Sequence, residues 1–194
     1  MSLKEHVYSV LVVSSSDKFN QAVADVFVSS AYSPVNCVSA VSTAKRALTE
    51  RDFDFVIINS PLPDDTGALF AADTVASYNT VVLFLTKAEQ YPDMFDKLAE
   101  HGVFLMQKPV SVSSFRLASE WLISARERIR KTEKKTLSIE EKMNEIRTVN
   151  RAKWLLISEL KMTEPDAHRY IEKQAMDRCT SKQQVAEEII KTYS

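Results

Sequence analysis

Up to about residue 110 the chain alternates short apolar runs with amphipathic stretches. Val7–Val13 (VYSVLVV), Pro34–Val38, Phe55–Ile58, Thr80–Leu85 and Val103–Met106 are rich in Val, Ile and Phe and predict buried β-strands. The segments between them repeat their apolar positions at helical spacing. Phe19, Ala22, Val23, Val26 and Phe27 fit one helix face, and Ala44, Ala47 and Leu48 fit another. Strands that each lead into a helix predict a parallel sheet covered on both faces, with its ligand crevice beyond the carboxyl ends of the strands. Those ends are Val13-Ser14-Ser15, Ile58-Asn59, Leu85-Thr86 and Met106-Gln107-Lys108.

After Pro109 the texture changes. Both glycines, Gly67 and Gly102, have passed, and the next proline is Pro165. A tract this free of breakers lets the last helix of the sheet domain run on well beyond it. Leu122, Ala125, Ile129, Thr132, Thr136, Ile139, Met143 and Ile146 step by alternating threes and fours, the spacing of a heptad seam. Two arrangements satisfy such a seam: a coiled coil with a second copy of the chain, which we favour, or a helix packed on its own domain. Ser138-x-x-Glu141 fits a capping box that would restart the helix. The run Arg126–Lys135 (RERIRKTEKK) is expected on the exposed sides of this helix, as a solvated face.

From about Asn144 three helices can be drawn. The first continues through Val149, Ala152, Leu155, Leu156 and Leu160. Thr163 suits the N-cap of the second, with Pro165 in its first turn and Ala167, Ile171 and Ala175 as its buried stripe. Thr180-x-x-Gln183 fits a capping box for the third, which would bury Val185, Ala186, Ile189 and Ile190. The expected organisation is a sheet domain over 1–124, a coiled-coil linker helix over 125–146 and a three-helix domain over 147–194.

Charge supports that division. Through Ser124 there are 9 Lys+Arg against 14 Asp+Glu, and beyond it 16 against 12, so an acidic front half of about −5 precedes a basic back half of about +4. Any polyanion is therefore expected on the second domain. With 45% hydrophobic and 26% charged residues the chain is ordinary globular material. The apolar runs are too short to cross a bilayer, and Met1–Val13 has no signal-peptide core, so a cytoplasmic protein without membrane attachment is expected. Cys37 and Cys179 fit reduced thiols. His6, His101 and His168 are scattered, and neither a metal nor a cofactor is expected.

The stretch Val56–Gly67 (VIINSPLPDDTG) runs an apolar strand into a loop rich in Pro and Asp, and it closes the strand with an amide, Asn59. With Pro63, Gly67, Thr86 and Lys108-Pro109, this segment resembles the receiver domains of bacterial two-component response regulators over roughly residues 6–124. The resemblance implies a flavodoxin-like α/β fold with a five-stranded parallel sheet. It also implies a crevice in which an acidic pair and a third-strand Asp bind Mg²⁺, that Asp accepts a phosphoryl group, and a Thr or Ser and a Lys contact the phosphate. Carried over by position, Thr86 and Lys108 are present, Ser14-Ser15 replaces the acidic pair and Asn59 replaces the acceptor. A carboxamide oxygen is a poor nucleophile, and hydroxyls and an amide offer little to a hard cation. The crevice is thus expected to be a degenerate phosphoacceptor pocket. Asp17 is expected to point into the first helix. Lys108 has two possible uses: a hydrogen bond to the Asn59 amide oxygen or Ser14 in a satisfied polar cluster, or capture of a small anion or metabolite. The position of the family's aromatic switch falls on Leu105, with Phe104 beside it.

Residues 140–194 resemble the ANTAR domain, a three-helix RNA-binding module of transcription antitermination regulators. The matching features are Ala152-Lys153 before Leu155-Leu156, Thr163-Glu164, Ala167 before Arg169-Tyr170, Ala175-Met176 and Val185-Ala186, with Trp154 where the family usually has a small residue. The resemblance implies a dimer that stabilises paired hairpins in a leader transcript and so blocks a terminator. The residues expected at RNA are Lys153, Arg169, Tyr170, Lys173, Ala175, Met176, Arg178 and Lys182, the cations on phosphates and the tyrosine, with His168, on splayed bases. Arg147 and Arg151 would extend that surface. The alternative is that Tyr170, Ala175 and Met176 are core and the cations are solvated.

The leading expectation is a dimeric RNA-binding antitermination regulator, paired through Leu122, Ala125, Ile129, Ile139, Met143 and Ile146, with a receiver that is not phosphorylated. The alternative is a protein-interaction adaptor in two-component signalling that binds no RNA. DNA is not an expected partner. Without paired acids, a Cys/His pair or a Gly-rich phosphate loop, an enzyme is the least supported class.

Overall fold

The computed structural model describes residues 6–28 and 30–193. The chain divides into two compact units, Met1–Arg130 and Lys131–Ser194, each with its own core. In the first unit β1 (Tyr8–Val13), β2 (Tyr32–Val38), β3 (Phe55–Asn59), β4 (Val81–Lys87) and β5 (Phe104–Lys108) form one parallel sheet in the order β2-β1-β3-β4-β5. Its helices are α1 (Asp17–Val26), α2 (Val41–Glu50), α3 (Ala68–Ser77), α4 (Tyr91–Leu98) and the start of α5 (Val112–Leu160). This is the doubly wound arrangement that the alternating pattern predicts.

Burial follows position in the sheet. The interior strands β1, β3 and β4 are buried almost throughout, with Leu11, Val56, Ile57, Phe84 and Leu85 fully enclosed. Their alternate side chains feed two cores, one under α2, α3 and α4, the other under α1 and α5. The expectation of buried strands fails for β2 and β5. They lie at the two edges and keep exposed positions, including Phe104, because only one neighbour covers each backbone.

Local chemistry sets the helix starts near the crevice. Ser16 caps α1 by accepting from the Phe19 N–H (3.3 Å), and Asp17 follows in the first turn. Gly67 begins α3 at φ +82°; a Cβ there would stand 3.0 Å from Ile58 Cγ2 and 3.3 Å from a Leu62 methyl, so both the backbone and the packing call for glycine.

Helix α5 runs on well beyond the sheet domain, as the breaker-free tract predicts, but differs from expectation in two details. It is continuous from Val112 to Leu160, so Ser138-x-x-Glu141 restarts nothing. The seam also divides. Leu122 is 1% exposed in the core under α1 and α5, and Ala125 and Ile129 pack partly against the same core, so this stretch is taken up by its own domain and Leu122 has no face left for a partner. Ile139, Met143 and Ile146 remain about half exposed.

The basic run is exposed as expected at Arg128, Lys131, Lys134 and Lys135, but not at Arg126 and Arg130. Arg126 Nε donates to Asp54 Oδ1 at 2.8 Å and Arg130 Nη2 reaches the same oxygen at 3.3 Å, with all three side chains under 20% exposed. Arg130 also pairs with Glu127, which accepts from the Tyr8 hydroxyl at 3.0 Å. The compact front unit extends to Arg130.

In the second unit Ala152 and Leu156 of α5 meet Ala167 and Ile171 of α6 (Glu164–Asp177) and Val185, Ala186 and Ile189 of α7 (Lys182–Tyr193). Thr163 caps α6 by accepting from the Asp166 N–H, with Pro165 in the first turn. The box that starts α7 lies one residue later than expected. Ser181 Oγ accepts from the Gln184 N–H (3.1 Å) while Gln184 Oε1 accepts from the Ser181 N–H (3.3 Å).

Candidate functional site

The crevice at the carboxyl ends of the strands contains a short chain of neutral and cationic groups. Ser14, just after β1, is 1% exposed, and its Oγ accepts from the Ser16 N–H (3.1 Å) and from Asn59 Nδ2 (3.0 Å). Asn59 Oδ1 in turn accepts from Lys108 Nζ at 2.9 Å, and Lys108 also donates to the Ser60 carbonyl. Three predicted residues, Ser14, Asn59 and Lys108, are thus joined directly. Ser15 is exposed and outside this chain. Thr86 is fully buried and turns its hydroxyl to Gln90 Oε1 at 3.5 Å. Burial, with the Lys87 ammonium as a lesser cause, pushes the Lys108 amine below its ordinary pKa.

Nearby carboxylates are engaged elsewhere. Asp64 accepts from the Val41 and Ser42 N–H groups, each at 3.0 Å, and so caps α2, whose own N-cap, Ala40, has no side chain to do it. Those two bonds hold the Asp64 carboxyl below its usual pKa. Asp65 accepts from the Gly67 N–H at 2.6 Å. Asp17 lies exposed in the first turn of α1. Among the described residues no three His, Cys, Asp or Glu side chains gather to hold a metal ion. The amide oxygen that replaces an attacking carboxylate is itself engaged by an ammonium, which lowers its nucleophilicity further. Asp64 was the functional side chain missed in the sequence; its only signal was an α2 start with no capping residue of its own.

In the second unit the predicted RNA set separates into three groups. Ala175 is 6% exposed and belongs to the core with Ala167 and Ile171, which corrects its assignment to a binding surface. Arg178 forms a two-bond pair with Glu188 (2.6 and 2.9 Å), Lys182 pairs with Glu172, which also faces His168 Nε2 at 3.3 Å, and Lys153 pairs with Glu164 at 2.7 Å. These cations are neutralised locally instead of standing free. The partners' carboxyls are pulled down in pKa accordingly, Glu164 by Lys153, Glu172 by Lys182 and Glu188 by Arg178. Arg169 and Lys173 take part in none of these pairs and are exposed. They stand four residues apart on the side of α6 away from its core stripe, beside Tyr170 (39% exposed) and Met176 (78% exposed).

Comparison with known proteins finds relatives for both units. The ANTAR domain model matches residues 138–190. The transcriptional regulatory protein PdtaR of Mycobacterium tuberculosis is 31% identical over 140 residues, 72% of this chain and 68% of that protein. The first unit's fold is similar to solved receiver structures. One is the signal receiver domain of an HD domain-containing protein from Pseudomonas fluorescens, with TM-score 0.58 and 19% identity, covering 65% of this chain and 93% of that one. Another is a response regulator receiver domain protein from Clostridium thermocellum, with TM-score 0.55 and 18% identity, covering 62% and 98%.

Proposed function

This chain belongs to the response regulators that join a receiver domain to an ANTAR domain, and we propose that it is an RNA-binding antitermination regulator whose receiver is not switched by phosphorylation. The observation that carries the RNA reading is the outer face of α6. Arg169 and Lys173 are exposed outside the ion pairs of the unit, with Tyr170 beside them, so two cations and a ring are available together. Phosphates would take the cations and an unstacked loop base the ring. Exposed ion pairs contribute at most about 1 kcal/mol, so Arg178 and Lys182 can exchange a carboxylate for a phosphate at small cost. Lys153 and Met176 would flank the contact.

The remaining parts of the reading follow. The protein acts on a leader transcript with hairpins, as a cytoplasmic regulator and not as an enzyme. It works as a dimer paired through Ile139, Met143 and Ile146, the exposed part of the seam. Among the described residues no helix is long and apolar enough to cross a membrane.

Fluorescence anisotropy with an RNA bearing two hairpins with exposed loops tests the RNA reading. The double change Arg169→Ala/Lys173→Ala is expected to weaken binding about ten-fold or more and to flatten the log–log salt slope by roughly 1.4. Absence of saturable, salt-dependent binding by the unaltered chain would instead favour the adaptor, and an unchanged affinity in the variant would overturn the assignment of the contact to Arg169 and Lys173. For the receiver, intact mass after incubation with acetyl phosphate and Mg²⁺ is expected to stay that of the unmodified chain. A gain of one phosphoryl group would overturn this half of the reading.

A further inference from the structure

Between α1 and the start of α5 the first unit has a half-open hollow of about 800 Å³ that is mostly apolar. Phe19 and Val26 of α1 and Val112 and Phe115 of α5 line it, and the deeply buried Val23 and Leu85 are among its walls. The charged lining residues all come from one end of the sheet. Lys87 ends β4, Lys108 ends β5, and Glu89 lies in the short turn after β4. Lys87 and Lys108 are direct partners in the β4–β5 register, two ammonium-bearing side chains next to one another, with Glu89 the single carboxylate among the lining residues.

The apolar walls are left open and Lys87 has no ion-pair partner among the described residues, while Lys108 keeps its bonds to Asn59 and Ser60. An apolar hollow of this size leaves hydrocarbon facing water, which a ligand's apolar body would cover favourably. Adjacent like charges repel, and the depressed pKa of Lys108 records Lys87 as a contributor. Volume, apolar walls and a few convergent polar groups are together the usual make-up of a small-molecule site. We propose that this cavity binds a small amphipathic organic anion, its aromatic or aliphatic body against Phe19, Val26 and Phe115 and its acidic group at Lys87 and Lys108. The proposal lies within the first unit and stands without the RNA reading. Because Lys108 also donates to Asn59, the ligand would share a residue with the degenerate crevice.

Titration of the full chain with 1-anilinonaphthalene-8-sulfonate, and with the uncharged N-phenyl-1-naphthylamine, tests it. The sulfonate is expected to bind saturably at one site per chain. Lys87→Glu, at an exposed position, is expected to weaken the sulfonate at least ten-fold and to leave the neutral dye unchanged. Ala22→Trp, which places an indole at the cavity wall, is expected to abolish both. Circular dichroism establishes that each variant is folded, and the Lys87→Glu comparison decides the matter if Ala22→Trp is not. Non-saturating emission, the result expected if a second chain covers the cavity, overturns the proposal. Equal sulfonate affinity in Lys87→Glu and the unaltered chain does so as well.

Discussion

Asp54→Ala is expected to destabilise the first unit by about 3 kcal/mol, seen as a fall of roughly 2 M in the urea midpoint of its unfolding transition. One carboxylate serves four donors here. Asp54 accepts from the Ser9 N–H (2.9 Å) and Ser9 Oγ (3.1 Å) as well as from Arg126 and Arg130. Its removal takes one shared acceptor from two guanidinium groups and a backbone N–H at a site where water reaches poorly, and although Arg130 keeps Glu127, the cost is that of the donors left short more than of the lost attraction. Asp54→Asn, which keeps an acceptor for Ser9 and loses the charge, is expected to fall between the two. The exposed pair Arg46–Glu50 is the control, since its side chains are 83% and 65% exposed and Arg46→Ala should shift stability by less than about 0.5 kcal/mol. An Asp54→Ala transition indistinguishable from that control would refute the clamp.

Ile171→Ala is expected to unfold the second unit while sparing the first. Ile171 is fully buried at the middle of the α6 stripe, between Ala167 and Ala175 and against Leu156 and Val185 of the same core. Truncating a buried Ile costs about 2–5 kcal/mol. A unit this small rarely has more than about 3–5 kcal/mol in hand. The loss should appear in calorimetry as the disappearance of one of two transitions, with reduced helical dichroism and no RNA binding. Retention of both transitions with native enthalpies would show that the core is sturdier than its size indicates.

The fold was legible because burial and period coincide in the interior strands. Val10–Val13 and Phe55–Ile58 are apolar at every position because both faces of the sheet are covered. Period alone does not say what an apolar stripe faces. Leu122 and Ile146 share one spacing, yet one lies against its own sheet and the other faces water. Nor does a charge run disclose its partners: Arg126 finds Asp54 across 72 positions of sequence, a distance that no local pattern carries. The sequence pointed to Thr180-x-x-Gln183 as the box of the last helix, yet the bonds form one residue later, between Ser181 and Gln184, a shift within the usual uncertainty of a helix end. In the crevice, the substitutions at Ser14 and Asn59 were plain from residue type. The diversion of Asp64 to the start of α2 was not, because it depends on a loop folding back across the sheet end.

The attachment of α5 has a mechanical corollary. Phe115 anchors the helix beside α1, and Arg126 and Arg130 anchor it to the residue just before β3, a span of roughly 22 Å at 1.5 Å per residue. A rod fastened at two such separated points cannot rock on the surface beneath it. The buried Phe115 and Leu122 and the two arginine pairs fix its rotation about its own axis as well, so this stretch of helix is held as one piece with the sheet.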